Sequence, residues 1–379
     1  MTGVVLTGLG VLSAFGRGPG PLMDAVLPGT AGFGPVTRFD VAARLVGRAA
    51  ALPGALDPVA ELLAAIDAAC AQASFPQDGP GDVFEDVFGD EPDRASCPVL
   101  LAVHADGRTA GLVRQVTAAV AARPGLSGVR RVYTCACVAG STAVADAAAM
   151  IEAGGAQRVV VAAAYLVEPD TFAVFDAGRA LSRDGLARPF SRNRQGLLLG
   201  DAVVAVVLES TGSARRRGVR PLARLAGWGR AGDGYHVCRP RPDGAGLARA
   251  IGNALDRAGI SPGAVDYVNA NATGSPIADQ AEAAALDLVF GAGSRNVPVS
   301  STKGSHGHAL EASALLEFVV TVLALRAGRL PVNAGYLGSD GQCDLDLVLD
   351  RPREVGAEYA LTLNSAFGGG NTALLVGAS

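Results

Sequence analysis

The chain has 379 residues, 49% apolar and 18% charged, with a formal net charge of −4 at pH 7. That composition supports a large buried core. It argues against a nucleic-acid or membrane-surface role, because the one basic run, Arg215-Arg216-Arg217, is too short to make the patch such binding needs. No run of about 18 apolar residues is free of charge, Gly or Pro breaks, so no membrane span is predicted.

In chain order, Val4–Leu12 reads as a first strand; it has no cationic leader, so it is not a signal peptide. Gly20–Leu27 reads as a short helix, Phe33–Pro53 as loop and strand, and Val59–Ala73 as a helix. The Pro-, Gly- and Asp-rich stretch Phe75–Ser96 is predicted to be a mobile surface loop. Pro98–His104 is a strand, Ala110–Ala122 a helix, and Val132–Thr134 belongs to a short buried strand. Val138–Ala153 is Ala-rich, lacks Pro and stops at Gly154-Gly155, as a helix does. Strands follow at Val159–Ala164 and Val203–Leu208.

The second half repeats the plan. Leu222–Gly227, Val265–Val268 and Val297–Ser301 read as strands, alternating with helices at Gly246–Ala258, Ile277–Phe290 and Ala309–Ala327. Strands at Leu345–Leu349, Tyr359–Leu363 and Ala373–Val376 close the chain. The alternation is α/β, and its recurrence in element order predicts an internal duplication, with halves 1–214 and 215–379.

The six cysteines, Cys70, Cys97, Cys135, Cys137, Cys238 and Cys343, form no CxxC pair and no disulfide-like spacing, so reduced thiols in a cytoplasm and no metal are expected. Cys137 sits where a strand turns into a helix N-terminus, where backbone N–H groups and the helix dipole favour a thiolate. Cys135 is expected to pack within the strand end. Three polar clusters follow predicted strands, the place where open α/β sheets put their chemistry. They run from Asp266 to Pro276, from Val299 to His308 leading to Glu311 and Glu317, and from Asn364 to Thr372. Singly, each has an ordinary explanation: Asn271 could cap a turn, His308 could be a satisfied helix-start histidine, and the glycines could make a tight turn.

Taken together and in order, these segments resemble the β-ketoacyl-acyl-carrier-protein synthase (ketosynthase) family over nearly the whole chain. The carriers are Val4–Gly10, Ala136-Cys137-Val138-Ala139-Gly140, Arg179-Ala180-Leu181-Ser182, Arg188-Pro189-Phe190, Leu199-Gly200-Asp201, Tyr235-His236, Gly244-Ala245-Gly246 and the three clusters. The resemblance implies a thiolase-like duplicated α-β-α-β-α fold, two similar halves whose mixed five-stranded sheets sandwich helices. It implies that Cys137 takes an acyl group from an acyl-carrier protein and that His308 stabilises the malonyl-derived carbonyl or enolate. Lys303 and Glu317 would support that polar network, and Thr273 and Ser275 would hold the phosphopantetheine arm. The Phe367-Gly368-Gly369-Gly370 turn would join the Cys137 N–H in an oxyanion hole. No bound cofactor is implied, since phosphopantetheine arrives on the carrier protein. A homodimer, or a heterodimer with a second ketosynthase-like subunit, is the implied assembly.

The chain departs from the family pattern where it matters chemically. The first family histidine is Asn271 here, an amide that donates hydrogen bonds but is no base near neutral pH. The family's Gly-Ala-Ala-Gly reads Glu311-Ala312-Ser313-Ala314, which places a carboxylate near the site. Three readings stand: a condensing ketosynthase, a non-elongating transacylase or cyclase using the same cysteine, and a chain-length-factor-like partner subunit. The last does not require a nucleophile.

Overall fold

A computed structural model describes residues 3–75, 97–291, 296–339 and 341–379. Of the loop predicted at Phe75–Ser96, residues 76–96 lie outside the described residues, and Phe75 is buried in the core rather than on the surface. Besides short two-residue strands such as Gly16–Arg17, the main sheet takes five strands from the first half: β1 (Val4–Ser13), β2 (Cys97–Val103), β3 (Leu126–Tyr133), β4 (Arg158–Tyr165) and β5 (Ala202–Ser210). Five come from the second: β6 (Ala223–Gly232), β7 (Tyr267–Asn269), β8 (Val299–Ser300), β9 (Tyr359–Ser365) and β10 (Gly370–Gly377). The spatial order is β3-β2-β4-β5-β1 in one half and β8-β7-β9-β10-β6 in the other. In each half the first three strands in that order run parallel, and the last two alternate antiparallel. The same order with the same directions is the duplication expected from sequence. The halves meet where β1 pairs antiparallel with β6, Val4 opposite Leu225.

Helices α1 (Pro58–Gln72), α2 (Thr109–Ala121) and α3 (Ala139–Glu152) correspond in order to α4 (Ala245–Ala258), α5 (Pro276–Phe290) and α6 (Ser313–Ala327). α3 and α6 pack against each other between the sheets, while α1 and α2, and α4 and α5, cover the outer faces. The strand residues show why. On β4, Val159, Val161 and Ala163 join the central core with Val144 and Leu316, while Val160 and Ala162 join the outer core with Leu62 and Ile66. Strands covered on both faces lose the polar alternation of a half-exposed sheet and read as continuous apolar runs. α6 is buried nearly all round for the same reason, whereas α4 buries one stripe (Leu247, Ile251, Leu255) against its sheet. The central helices come close at Gly140, where a β-carbon would lie 3.1 Å from the Leu315 nitrogen and 3.2 Å from the Glu311 carbonyl oxygen. That approach brings the start of α3 to the segment before α6.

Some expectations change. β3 is the sheet's edge strand, paired only with β2 among the described residues, and Arg130 and Arg131 on it are exposed, so it is not a buried strand. Leu126, Val129 and Val132 pack toward the outer core and Tyr133 toward the central one. Leu345–Leu349 makes a single bridge, Leu347 to Val299, instead of a strand, because the paired part of β8 is only two residues long. The predicted helix at Ala309 opens as a tight turn, Leu310–Ala312, with Leu310 at φ 42, and the α-helix begins at Ser313. A helix at Pro169–Ala177, opened by its proline, had no counterpart in the sequence reading.

Candidate active site

After β3 the chain turns through Ala136, which holds the left-handed φ of 52, into a tight turn Ala136–Val138 and then α3. A non-glycine residue held at positive φ marks a locally over-determined backbone. The turn separates the two neighbouring cysteines: Cys135 is exposed, not packed in the strand end, and Cys137 is buried. Cys137 Sγ lies 3.0 Å from His308 Nε2. The helix N-terminus does not prevail over burial, which together with the charge of Glu311 pushes the Cys137 thiol up to about 12. Burial and the nearby Lys303 ammonium hold His308 well below its ordinary value, so its imidazole is neutral. The resting pair is therefore a thiol beside a neutral imidazole, not the preformed thiolate expected from the helix dipole.

His308 is held from both sides. Its backbone bonds Leu198 and Gly200, and its Nδ1 lies 2.8 Å from Ser313 Oγ. Ser313 Oγ also accepts the Ala309 N–H at 2.8 Å. A hydroxyl can donate to Nδ1 or accept from it, so Ser313 satisfies either tautomer of the imidazole. With Nδ1 protonated, Nε2 accepts the thiol proton; with Nδ1 accepting, Nε2–H donates. The neighbouring His306 is a different kind of residue. Its ring bonds Thr302 Oγ1 and the Gly307 carbonyl within its own turn, and burial lowers it to about 3.

A second group forms around Lys303, which is 1% exposed. Its Nζ lies 2.5 Å from Glu317 Oε1 and donates to Asn271 Oδ1 at 3.3 Å. Glu317 Oε2 accepts from Asn364 Nδ2 at 2.7 Å. Burial raises Glu317, and Lys303 and Asn364 oppose that shift. A lysine ammonium only donates, so the Asn271 atom facing it is the oxygen, and the amide Nδ2 remains a donor. The Asn271 N–H donates to Glu282 Oε1 at 2.7 Å; burial pushes the Glu282 carboxyl up to about 8.

The loop after Asn271 is organised by Asp279, near the start of α5. Its carboxylate accepts the backbone N–H groups of Phe190, Thr273 and Gly274 at 2.9, 3.1 and 3.2 Å. Thr273 is buried on this loop and Ser275 precedes α5, half-buried. On the other side, the β9–β10 turn carries Phe367, which is exposed and stacked on Phe175. Gly368 and Gly369, both at positive φ, spend their N–H groups on the Val237 and Ala366 carbonyls. The Phe367 N–H takes no acceptor among the described residues. A β-carbon on Gly370 would lie 3.3 Å from Val138, so this turn abuts the one that carries Cys137.

The residues singled out from sequence thus fall into two contacting sets. Cys137 and His308 meet directly, and Lys303, Asn271 and Glu317 share one buried network. Thr273, Ser275 and the Phe367–Gly369 turn flank them without a hydrogen bond to Cys137. Sequence reading missed Asp279 and Glu282, which organise the Asn271 loop, the bonds of Asn364 to Glu317 and of Ser313 to His308, and Arg38. The Arg38 guanidinium pairs with buried Asp201, whose carboxylate also accepts the Leu52 and Val167 N–H groups. Two acids three residues apart in the Ala-rich stretch after Asn271 were the available signal for Asp279 and Glu282, since that spacing puts both on one helix face.

Comparison with known proteins places this geometry. The β-ketoacyl synthase N-terminal domain profile matches residues 102–214 and the C-terminal domain profile residues 222–336. The chain is 31% identical to a 3-oxoacyl-[acyl-carrier-protein] synthase 2 of Coxiella burnetii, over 98% of both chains. It is 32% identical to a protein of the same name from Staphylococcus aureus, over 66% of this chain and 64% of that one. Among solved structures, a β-ketoacyl synthase from Burkholderia phymatum superposes with a TM-score of 0.84 at 28% identity over all of both chains. The ishigamide ketosynthase/chain length factor superposes with a TM-score of 0.87 at 27% identity over 100% of this chain and 99% of that one. With both domain profiles matched, relatives alike from end to end and the duplicated thiolase-like fold in place, the chain belongs to the β-ketoacyl synthase family.

Proposed function

We propose that this protein is a ketosynthase-type acyltransferase that takes an acyl group from an acyl-carrier protein onto Cys137 and condenses it with a malonyl-type extender, in polyketide or fatty-acid-like synthesis. The observation that carries the reading is the 3.0 Å contact of Cys137 Sγ with the neutral His308 Nε2. In acylation, the thiol proton passes to His308 Nε2 as the sulfur attacks the thioester carbonyl. The Cys137 and Phe367 N–H groups hold the tetrahedral oxyanion. The C–S bond to the phosphopantetheine arm then breaks, and the leaving thiolate takes the proton from His308. Thr273 and Ser275 line the arm's approach, and the arm belongs to the carrier protein.

In condensation, the malonyl carboxylate leaves as carbon dioxide and the electron pair passes into an enolate. Asn271 Nδ2, oriented because Lys303 occupies Oδ1, and His308 Nε2–H donate to that oxygen. The enolate carbon attacks the acyl carbonyl on Cys137, and the cysteine leaves as thiolate. Condensation draws on donors, which Asn271 and His308 supply, not on a base at position 271. Because Asn271 cannot relay a proton, a non-elongating transacylase or cyclase is the second reading. The named relative acts on acyl-carrier protein, and one solved neighbour is a ketosynthase/chain length factor. These support a carrier-protein substrate and a dimer, with a copy of itself or with a ketosynthase-like subunit.

The test is intact-mass analysis after incubation with acyl-carrier protein, followed by malonyl-carrier protein. An acyl adduct lost in Cys137→Ala and a β-ketoacyl product with carbon dioxide are expected. An adduct without product, with decarboxylation gained in Asn271→His, selects the non-elongating reading. No adduct on the wild type rejects both.

A further inference from the structure

Glu311 lies on the Leu310–Ala312 turn, which packs against the Cys137 turn and against the ends of β2 and β4. Its side chain is almost wholly buried. Oε1 lies 3.0 Å from His104 Nδ1, at the end of β2. Oε2 has no hydrogen-bond partner among the described residues. A buried carboxylate oxygen without a donor is unusual, because desolvating an anion is costly unless its lone pairs are met. The same carboxylate acts on the Cys137 thiol and on the buried Tyr165 hydroxyl. The Tyr165 ring stands edge-on to His104, with centroids 6.3 Å apart. His104 and Tyr165 both line a cavity of about 860 Å³, with Val103, Ala164 and Arg108 beside them. A histidine–carboxylate pair with one unmet oxygen therefore lies against the Cys137 turn, with its histidine on the wall of the cavity.

We propose that Glu311, His104 and Tyr165 form a polar acyl subsite beside Cys137. It takes acyl groups that carry a hydrogen-bond donor, a hydroxyl or an ammonium, a few carbons from the thioester, and it disfavours plain alkyl chains. An alkyl chain beside Glu311 leaves the buried Oε2 without a donor, whereas a donor on the chain meets it. Sites built to bond a polar substrate group reject analogues lacking it more strongly than apolar pockets reject an extra hydroxyl. The inference rests on Cys137 acylation and specifies its substrate class.

The experiment measures the rate of Cys137 acylation from pantetheine thioesters of acetyl, hexanoyl, 3-hydroxyhexanoyl and 3-aminohexanoyl groups, by intact mass. Wild type is expected to load the hydroxy or amino chain roughly a hundredfold faster than hexanoyl. A lead for the amino chain marks an ion pair with Glu311, and a lead for the hydroxy chain marks a neutral hydrogen bond. In Glu311→Ala the ratio should collapse toward one. Glu311→Gln and His104→Ala provide the same readout if the alanine variant does not fold, and each should reduce the ratio. Equal loading of hexanoyl and its polar analogues by wild type overturns the inference while acetyl loading keeps the acyltransferase reading. No adduct from any thioester, acetyl included, overturns both.

Discussion

Replacing Lys303 by Met separates the two stations of the site. The ammonium is 1% exposed, pairs with a fully buried Glu317 and orients Asn271. Breaking a buried ion pair from one side leaves an uncompensated charge, and such losses cost about 3–5 kcal/mol. Unfolding entropy of about 2.1 cal/mol/K per residue gives roughly 0.8 kcal/mol/K for this chain, so the melting temperature should fall by about 4–6 °C. Adding Glu317→Gln removes the stranded anion, and the double variant should recover most of the loss. The chemistry should divide. Cys137, His308 and Ser313 keep their contacts, and burial still holds His308 below its ordinary value without Lys303, so acylation from the carrier-protein thioester should persist. Asn271 loses the donor on Oδ1, its amide is free to turn over, and one enolate donor is misplaced. Losing such a donor costs about 2.7–4 kcal/mol of barrier, or roughly 10²–10³ in rate. Calorimetry, single-turnover acylation and carbon dioxide release are the three assays. A melting shift below about 1 °C, or equal loss of acylation and decarboxylation, would refute the division into two stations.

Ser313→Ala strips the acceptor from the Ala309 N–H and the partner from His308 Nδ1; the stranded donors should cost about 1–3 kcal/mol in urea unfolding. Acylation and condensation should both slow, with Ser313→Thr restoring more rate than Ala; unchanged kinetics would remove the tautomer argument. Alkylation of Cys137 by iodoacetamide should rise with pH through pH 9 without a plateau, because its thiol is pushed up to about 12; a plateau with a midpoint at or below pH 8 contradicts that. Glu282 keeps its proton in the folded chain up to about 8 but releases it near 4.5 once unfolded, so stability should fall as pH rises across that window. Glu282→Gln should flatten the fall in melting temperature between pH 5 and 8, and an unchanged slope would assign it to other groups, Asp279 among them.

The α/β class, the duplication and the order of the elements are legible in the amino-acid sequence. Apolar runs such as Val159–Ala164 and glycine stops such as Gly154-Gly155 are local signals, and local signals survive without coordinates. The sequence also singles out Cys137, His308, Lys303 and Asn271, because their motifs lie at strand ends in a recognisable order. What those motifs do to each other depends on the folded arrangement. The helix N-terminus at Cys137 promised a thiolate, but whether that small effect prevails depends on burial and on Glu311, 174 positions away in the chain. The edge position of β3 depended on the sheet order, not on its own residues. Asp279 and Glu282 stand out in sequence only by their three-residue spacing, and folding turns their face inward onto the Asn271 loop. Ser313 looked like a replaced alanine until its hydroxyl met His308. Charge, dielectric and hydrogen-bond partner are properties of a place in space, and several chain segments must meet before that place exists.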